Sequence, residues 1–144
     1  MKFQTEMRFD ASADEVMRMF SDVAYFEKKY KASGFRNIEV LSHEKTDTRF
    51  NVTIRYSAPA DSPLPDFAKK FMPDEAVVTQ TDTWDLRART GELKVELKGV
   101  PAKVSAQMRL SESGAQAINR LQWNVSCGIP LVGGKLEKII ANDI

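Results

Sequence analysis

The sequence has one cysteine, one histidine, no long apolar run and almost no net charge, and each scarcity removes a class of protein. The single Cys127 cannot close an intrachain disulfide, so no disulfide framework holds the fold. With His43 alone and no cluster of cysteines, a zinc site has too few ligands. No apolar stretch approaches the roughly 20 residues that cross a bilayer, and none opens the chain as a secretory signal would. These features predict a cytoplasmic protein with no transmembrane segment. Lys and Arg number 21 against 20 Asp and Glu, which leaves no basic excess for nucleic acid. The sequons at Asn51 and Asn124 lie inside strand patterns, and in a chain without an export signal they read as chance matches.

At 144 residues, with 42% apolar and 28% charged, the chain is expected to form one globular domain spanning residues 1–144. Alternation dominates it. Phe3, Thr5, Met7 and Phe9 share one face of a first strand, with Lys2, Gln4, Glu6 and Arg8 on the other. Ser12 stands three residues before Glu15, a capping-box pattern, and Val16, Met19, Phe20 and Val23 follow at helical spacing, so a helix starts near Ala13. Asp22 caps a second short helix through Tyr25, Phe26 and Tyr30, which Gly34 ends. Six further strands are predicted at 35–43, 49–57, 76–87, 92–98, 102–110 and 117–127, with turns at 44–48, Thr90-Gly91 and Ser113-Gly114. Four of the six prolines fall within 58–73. There Leu64, Phe67, Ala68, Phe71 and Met72 recur at the spacing of a short amphipathic helix between proline stops. After Pro130, Leu131, Val132, Leu136, Ile139 and Ile140 form the apolar face of a last helix.

This order of elements resembles the helix-grip fold of the START-like (SRPBCC) superfamily, which includes the birch-pollen allergen and polyketide cyclase-like proteins. The likeness spans the whole chain. It is sharpest at Phe9-Asp10-Ala11-Ser12-Ala13-Asp14-Glu15-Val16, with Asp22 soon after, which looks like the superfamily's strand exit into a capped helix. Ile129-Pro130-Leu131-Val132-Gly133-Gly134-Lys135-Leu136-Glu137 looks like the start of the final helix in an uncharacterised bacterial family of that superfamily. The resemblance implies an α+β fold: a curved seven-stranded antiparallel sheet, two short N-terminal helices, and a C-terminal helix packed over the sheet with an apolar cavity between them. Two departures matter. The final helix is short for the superfamily, and the proline-bounded insert stands where a tight turn is expected, supplying a lid.

Candidate site residues follow from the strand faces. The fourth strand's inner face, Ala76, Val78, Trp84 and Leu86, also carries Gln80 and Asp82, and two polar groups in an apolar wall are how ligand pockets fix orientation. The bland alternative is a wet cavity mouth or satisfied backbone groups, and Asn119 on the seventh strand has the same ambiguity. Tyr56, Trp84, Met108 and Trp123, with Leu136 and Ile140 from the last helix, are the candidate apolar wall, against plain core packing. Phe67 and Phe71 are the candidate lid, against a fixed helix shielding a sheet edge. His43 reads as a solvated residue near a hairpin turn, and Cys127 as a buried small hydrophobe. Gly133-Gly134-Lys135 lacks the spacing of a phosphate loop.

The expected function is binding of a small hydrophobic or amphipathic, lipid-like ligand, with no catalytic residue, no cofactor and no metal. An alternative implied by the resemblance is a cyclase- or dehydratase-like enzyme using the same cavity, for which Asp82 with Tyr56 is the available acid/base material. A third is a protein-interaction module using the 58–73 insert or an exposed end of the sheet.

Overall fold

The computed structural model describes residues 1–59, 75–99, 101–127 and 133–142. Its elements are β1 (Lys2–Phe9), α1 (Ala13–Phe20), α2 (Val23–Ala32), β2 (Arg36–Lys45), β3 (Arg49–Pro59), β4 (Glu75–Asp85), β5 (Thr90–Leu97), β6 (Ala102–Ser113), β7 (Gln116–Cys127) and α3 (Gly133–Asn142). All seven strands join one antiparallel sheet in the order β1-β7-β6-β5-β4-β3-β2. β2 through β7 form a meander, and β1 closes onto its last strand. The α1–α2 connection therefore links the two edge strands.

Local chemistry sets the helix ends. Ser12 Oγ accepts the Glu15 N–H at 3.2 Å and Asp22 Oδ1 accepts the Ala24 N–H at 3.0 Å, satisfying donors that a helix start leaves unpaired. A further cap at α1 comes from across the chain, where Glu112 Oε1 accepts the Ala13 N–H at 3.0 Å. Gly34 leaves α2 at φ +83°, a conformation glycine adopts without Cβ strain.

The period-two pattern sends apolar side chains to the face that α1, α2 and α3 cover. Two clusters result. One gathers Val16 and Phe20 of α1, Trp84, Leu93, Met108, Leu121, Trp123 and Ile140 of α3. The other gathers Phe26 and Tyr30 of α2 with Phe50, Val52, Ile54, Tyr56 and Val78. Leu86, Val95, Leu97 and Tyr25 pack against both. Aromatic stacking runs through the two clusters, from Phe20 on Trp84 (5.4 Å between centroids) to Tyr30 and Phe35 on Tyr56 (4.7 and 4.5 Å).

Several sequence expectations are corrected. Strand β4 ends at Asp85 rather than at 87, because Asp85 Oδ1 accepts the N–H groups of Arg87 and Ala88 at 3.0 and 2.9 Å and starts a turn there. The turn thus occupies 86–89, and Thr90 and Gly91 lie within β5. Strand β2 runs 36–45 with register shifts between Arg36 and Glu39 and between Val40 and Ser42, which break its alternation and leave Leu41 44% exposed. His43 is exposed, as expected, within β2 opposite Val52 and two residues before the strand ends at Lys45. Met7, on the inner register of β1, is 37% exposed, and Cys127 is half-buried rather than buried. Ala58 and Pro59 of the insert belong to β3, while its residues 60–73, with the lid candidates Phe67 and Phe71, and the side chains of Leu136 and Ile139 lie outside the described residues.

Candidate functional site

Asp82 is the one Asp, Glu, Lys, Arg or His side chain buried among the described residues, 7% exposed on the inner face of β4 between Val52 and Leu93. Burial of an isolated carboxylate disfavours its charged form, and burial pushes Asp82 up to about 6. The Gln80 hydrogen bond and the positive charge of Lys29 oppose that rise without cancelling it. The polar chain is continuous. Gln80 Nε2 donates to Asp82 Oδ1 at 3.1 Å, and the Tyr56 hydroxyl donates to Gln80 Oε1 at 3.2 Å. Asp82 Oδ2 accepts no hydrogen bond from the described residues.

Helix α2 completes the cluster. Burial raises the hydroxyls of Tyr30, Tyr56 and Tyr25, and in each the Asp82 charge is the next largest cause; Tyr56 is pushed up to about 12. Lys29 Nζ lies 5.8 Å from the Tyr25 ring centroid and 6.0 Å from that of Tyr30, within cation–π range. The result is one carboxylate, one amide, three phenols and one ammonium on a single patch of an otherwise apolar face. Around it the inner face is only partly covered. Gln80, its cross-strand partner Val95, and Leu97, Ala76 and Ala58 each retain solvent exposure, whereas Leu93 and Val52 do not.

The structure brings Tyr56, Gln80 and Asp82 together as one hydrogen-bonded unit, and it places Trp84, Met108 and Trp123 in the neighbouring cluster. Those three are buried. Trp123 Nε1 donates to Thr5 Oγ1 at 2.8 Å and its ring stacks on Phe3, so it serves packing there. Ile140 is buried in the same cluster. Asn119, 3% exposed on the inner face of β7, has a carbonyl oxygen with no hydrogen-bond partner among the described residues, a second polar break in an apolar wall. Sequence reasoning misses Tyr25, Lys29 and Tyr30 as site residues. Their spacing of i, i+4 and i+5 around Phe26 places them on the buried side of a capped helix, and that is the available signal.

Among the described residues, no group of three or more His, Cys, Asp and Glu is placed to hold a metal ion, and no helix is long and apolar enough to cross a membrane.

Comparison with solved structures identifies the fold. The protein TTHA0849 from Thermus thermophilus superposes with a TM-score of 0.67 at 16% identity, over 99% of this chain and 85% of that one. Norcoclaurine synthase from Thalictrum flavum, in complex with dopamine and hydroxybenzaldehyde, gives 0.66 at 12% identity over 100% and 76%. The Zhui aromatase/cyclase from Streptomyces sp. R1128 gives 0.58 at 13% identity over 90% and 70%. The shared architecture is the helix grip expected from the order of elements. Among curated proteins, none matches the sequence. One family model, described as "Protein of unknown function (DUF2505)", matches residues 4–144.

Proposed function

The chain belongs to the DUF2505 family, and we propose that it binds a small hydrophobic or amphipathic molecule between the inner face of the sheet and the helices, with the ligand's polar group at Asp82. The observation that carries this reading is a buried carboxylate whose Oδ2 accepts no hydrogen bond from the described residues, on the strand next to that of partly exposed Val95 and Leu97. A polar anchor set in an apolar surface is the composition of small-molecule sites. Gln80, whose carbonyl oxygen accepts from the Tyr56 hydroxyl, donates to the carboxylate's other oxygen, and the Asp82 charge acts on the hydroxyls of Tyr25 and Tyr30. Phe67 and Phe71 are proposed to close over the ligand, with Leu136 and Ile140 meeting its apolar part from α3. Norcoclaurine synthase, of the same fold, is known in complex with two small aromatic molecules, dopamine and hydroxybenzaldehyde.

A second reading is favoured by the same carboxylate. A group that titrates at about 6 exchanges protons near neutral pH, as a general acid or base must. Native mass spectrometry of protein purified from its host tests the binding reading, which expects an added mass that is lost on denaturation. A ligand-free spectrum from every preparation would sink it. The released compound, returned to the wild type and to Asp82→Asn, separates the two readings. Recovery unchanged from both supports binding; conversion by the wild type alone supports the enzyme.

A further inference from the structure

A concavity lies outside the grip, at the end of the sheet where the β4–β5 turn meets β6 and the first turn of α1. It is an open cleft of about 660 Å³ whose lining includes Asp14, Arg87, Arg89, Thr90, Arg109 and Ser111. Three arginines face one carboxylate there. Arg89 pairs with Asp14 through a 2.5 Å contact, which fixes its guanidinium across the cleft. Arg87 and Arg109 have no ion-pair or hydrogen-bond partner for their side chains among the described residues. The nearby Asp85 carboxylate is held by the Arg87 and Ala88 N–H groups, which lower its proton affinity and keep it ionised; it attracts Arg87 without pairing to it.

The turn that carries two of these arginines is rigidly seated. Leu86 N–H donates to Thr48 O at 2.9 Å, Arg89 N–H to Asp85 O at 2.9 Å, and Leu110 N–H to Arg89 O at 2.9 Å. Arg89 takes φ +57°, a left-handed conformation that is strained for a residue with a Cβ. The surrounding bonds hold it there. Arg109 enters from β6, directly opposite Thr90 of β5. Leu86 and Leu110, which belong to the core beneath, give the cleft an apolar floor under its charged rim.

We propose that this cleft is a binding site for a phosphoryl-bearing small molecule, with Arg87 and Arg109 taking the phosphoryl oxygens and Thr90 and Ser111 offering hydroxyl donors. Guanidinium forks match phosphate oxygens two at a time, and their planar shape loses less freedom per hydrogen bond formed than an ammonium does. Leu86 and Leu110 would meet the apolar part of the molecule. The site does not depend on the interior ligand.

Inorganic pyrophosphate is the probe. Amide chemical shifts recorded during its titration should move at 86–90 and 109–111 with one saturating affinity. The double variant Arg87→Gln/Arg109→Gln should weaken it at least about tenfold, while Arg55→Gln, removing an outer-face arginine paired to Glu39 at 2.7 Å, should leave it unchanged. Circular dichroism confirms that the variants are folded. Shifts spread over every basic surface, no saturation, or equal affinity in the double variant would each overturn the proposal.

Discussion

Moving the Asp82 carboxylate from water onto the inner face raises it to about 6 from its ordinary value of 3.8, so the folded protein holds a proton that the unfolded chain has released between those values. Stability from this group is therefore fully present below about 3.8 and is lost as pH rises through about 6. The span of some two units corresponds to a loss on the order of 2–3 kcal/mol. Asp82→Asn keeps an oxygen for Gln80 and removes the buried charge. At pH 7 the variant should be more stable than the wild type by about 1–2 kcal/mol in urea unfolding, and the advantage should vanish by pH 4. The difference between the two proteins isolates Asp82 from other titrating groups, including Asp85, whose shift has the opposite sign. A variant less stable at pH 7, with the wild-type pH dependence intact, would contradict the assignment of an uncompensated buried charge.

Among the elements, β5 shows how a local signal is overruled by packing. Thr90-Gly91 reads as a turn, yet Gly91 pairs with Trp84 and Met108 inside the strand. A Cβ at Gly91 would stand 2.6 Å from Thr83 O and 2.8 Å from Trp84 Cδ2, so the glycine exists to let the indole lie against the strand. Gly91→Ala should cost about 2–4 kcal/mol, read as a lower thermal midpoint with weakened near-ultraviolet dichroism from the displaced tryptophan. An unchanged midpoint would refute that packing. The same comparison shows what the chain discloses before folding. Period-two alternation needs no tertiary information, so all seven strands, both N-terminal caps and the inner position of Gln80 and Asp82 were legible. Turn position was not, because Asp85 competes with glycine for it through side-chain bonds that composition does not reveal. The contribution of α2 to the site was hidden for a related reason. Tyr25, Lys29 and Tyr30 acquire chemistry only when the sheet carries Asp82 beneath them.

At the scale of the whole molecule, the α1–α2 connection and α3 cover the inner face unequally, and the charge state of Asp82 then governs what the partly covered region accepts. The anionic dye 8-anilinonaphthalene-1-sulfonate serves as probe, since it brings an apolar body and a fixed negative charge that does not titrate over this range. Above about 6 the ionised Asp82 repels the sulfonate; below it the neutral acid does not. Dye affinity should therefore rise about threefold or more between pH 7.5 and 5.5, with near-ultraviolet dichroism showing that the fold persists and that acid has not loosened it. In Asp82→Asn the affinity should be nearly flat over the same interval. A cationic amphiphile should give the reverse slope in the wild type, because the ionised carboxylate attracts it. A pH dependence that survives Asp82→Asn would place the dye elsewhere and remove Asp82 from the proposed ligand site, whereas a slope lost with the carboxylate ties the apolar surface of Val95 and Leu97 to the polar cluster beside it.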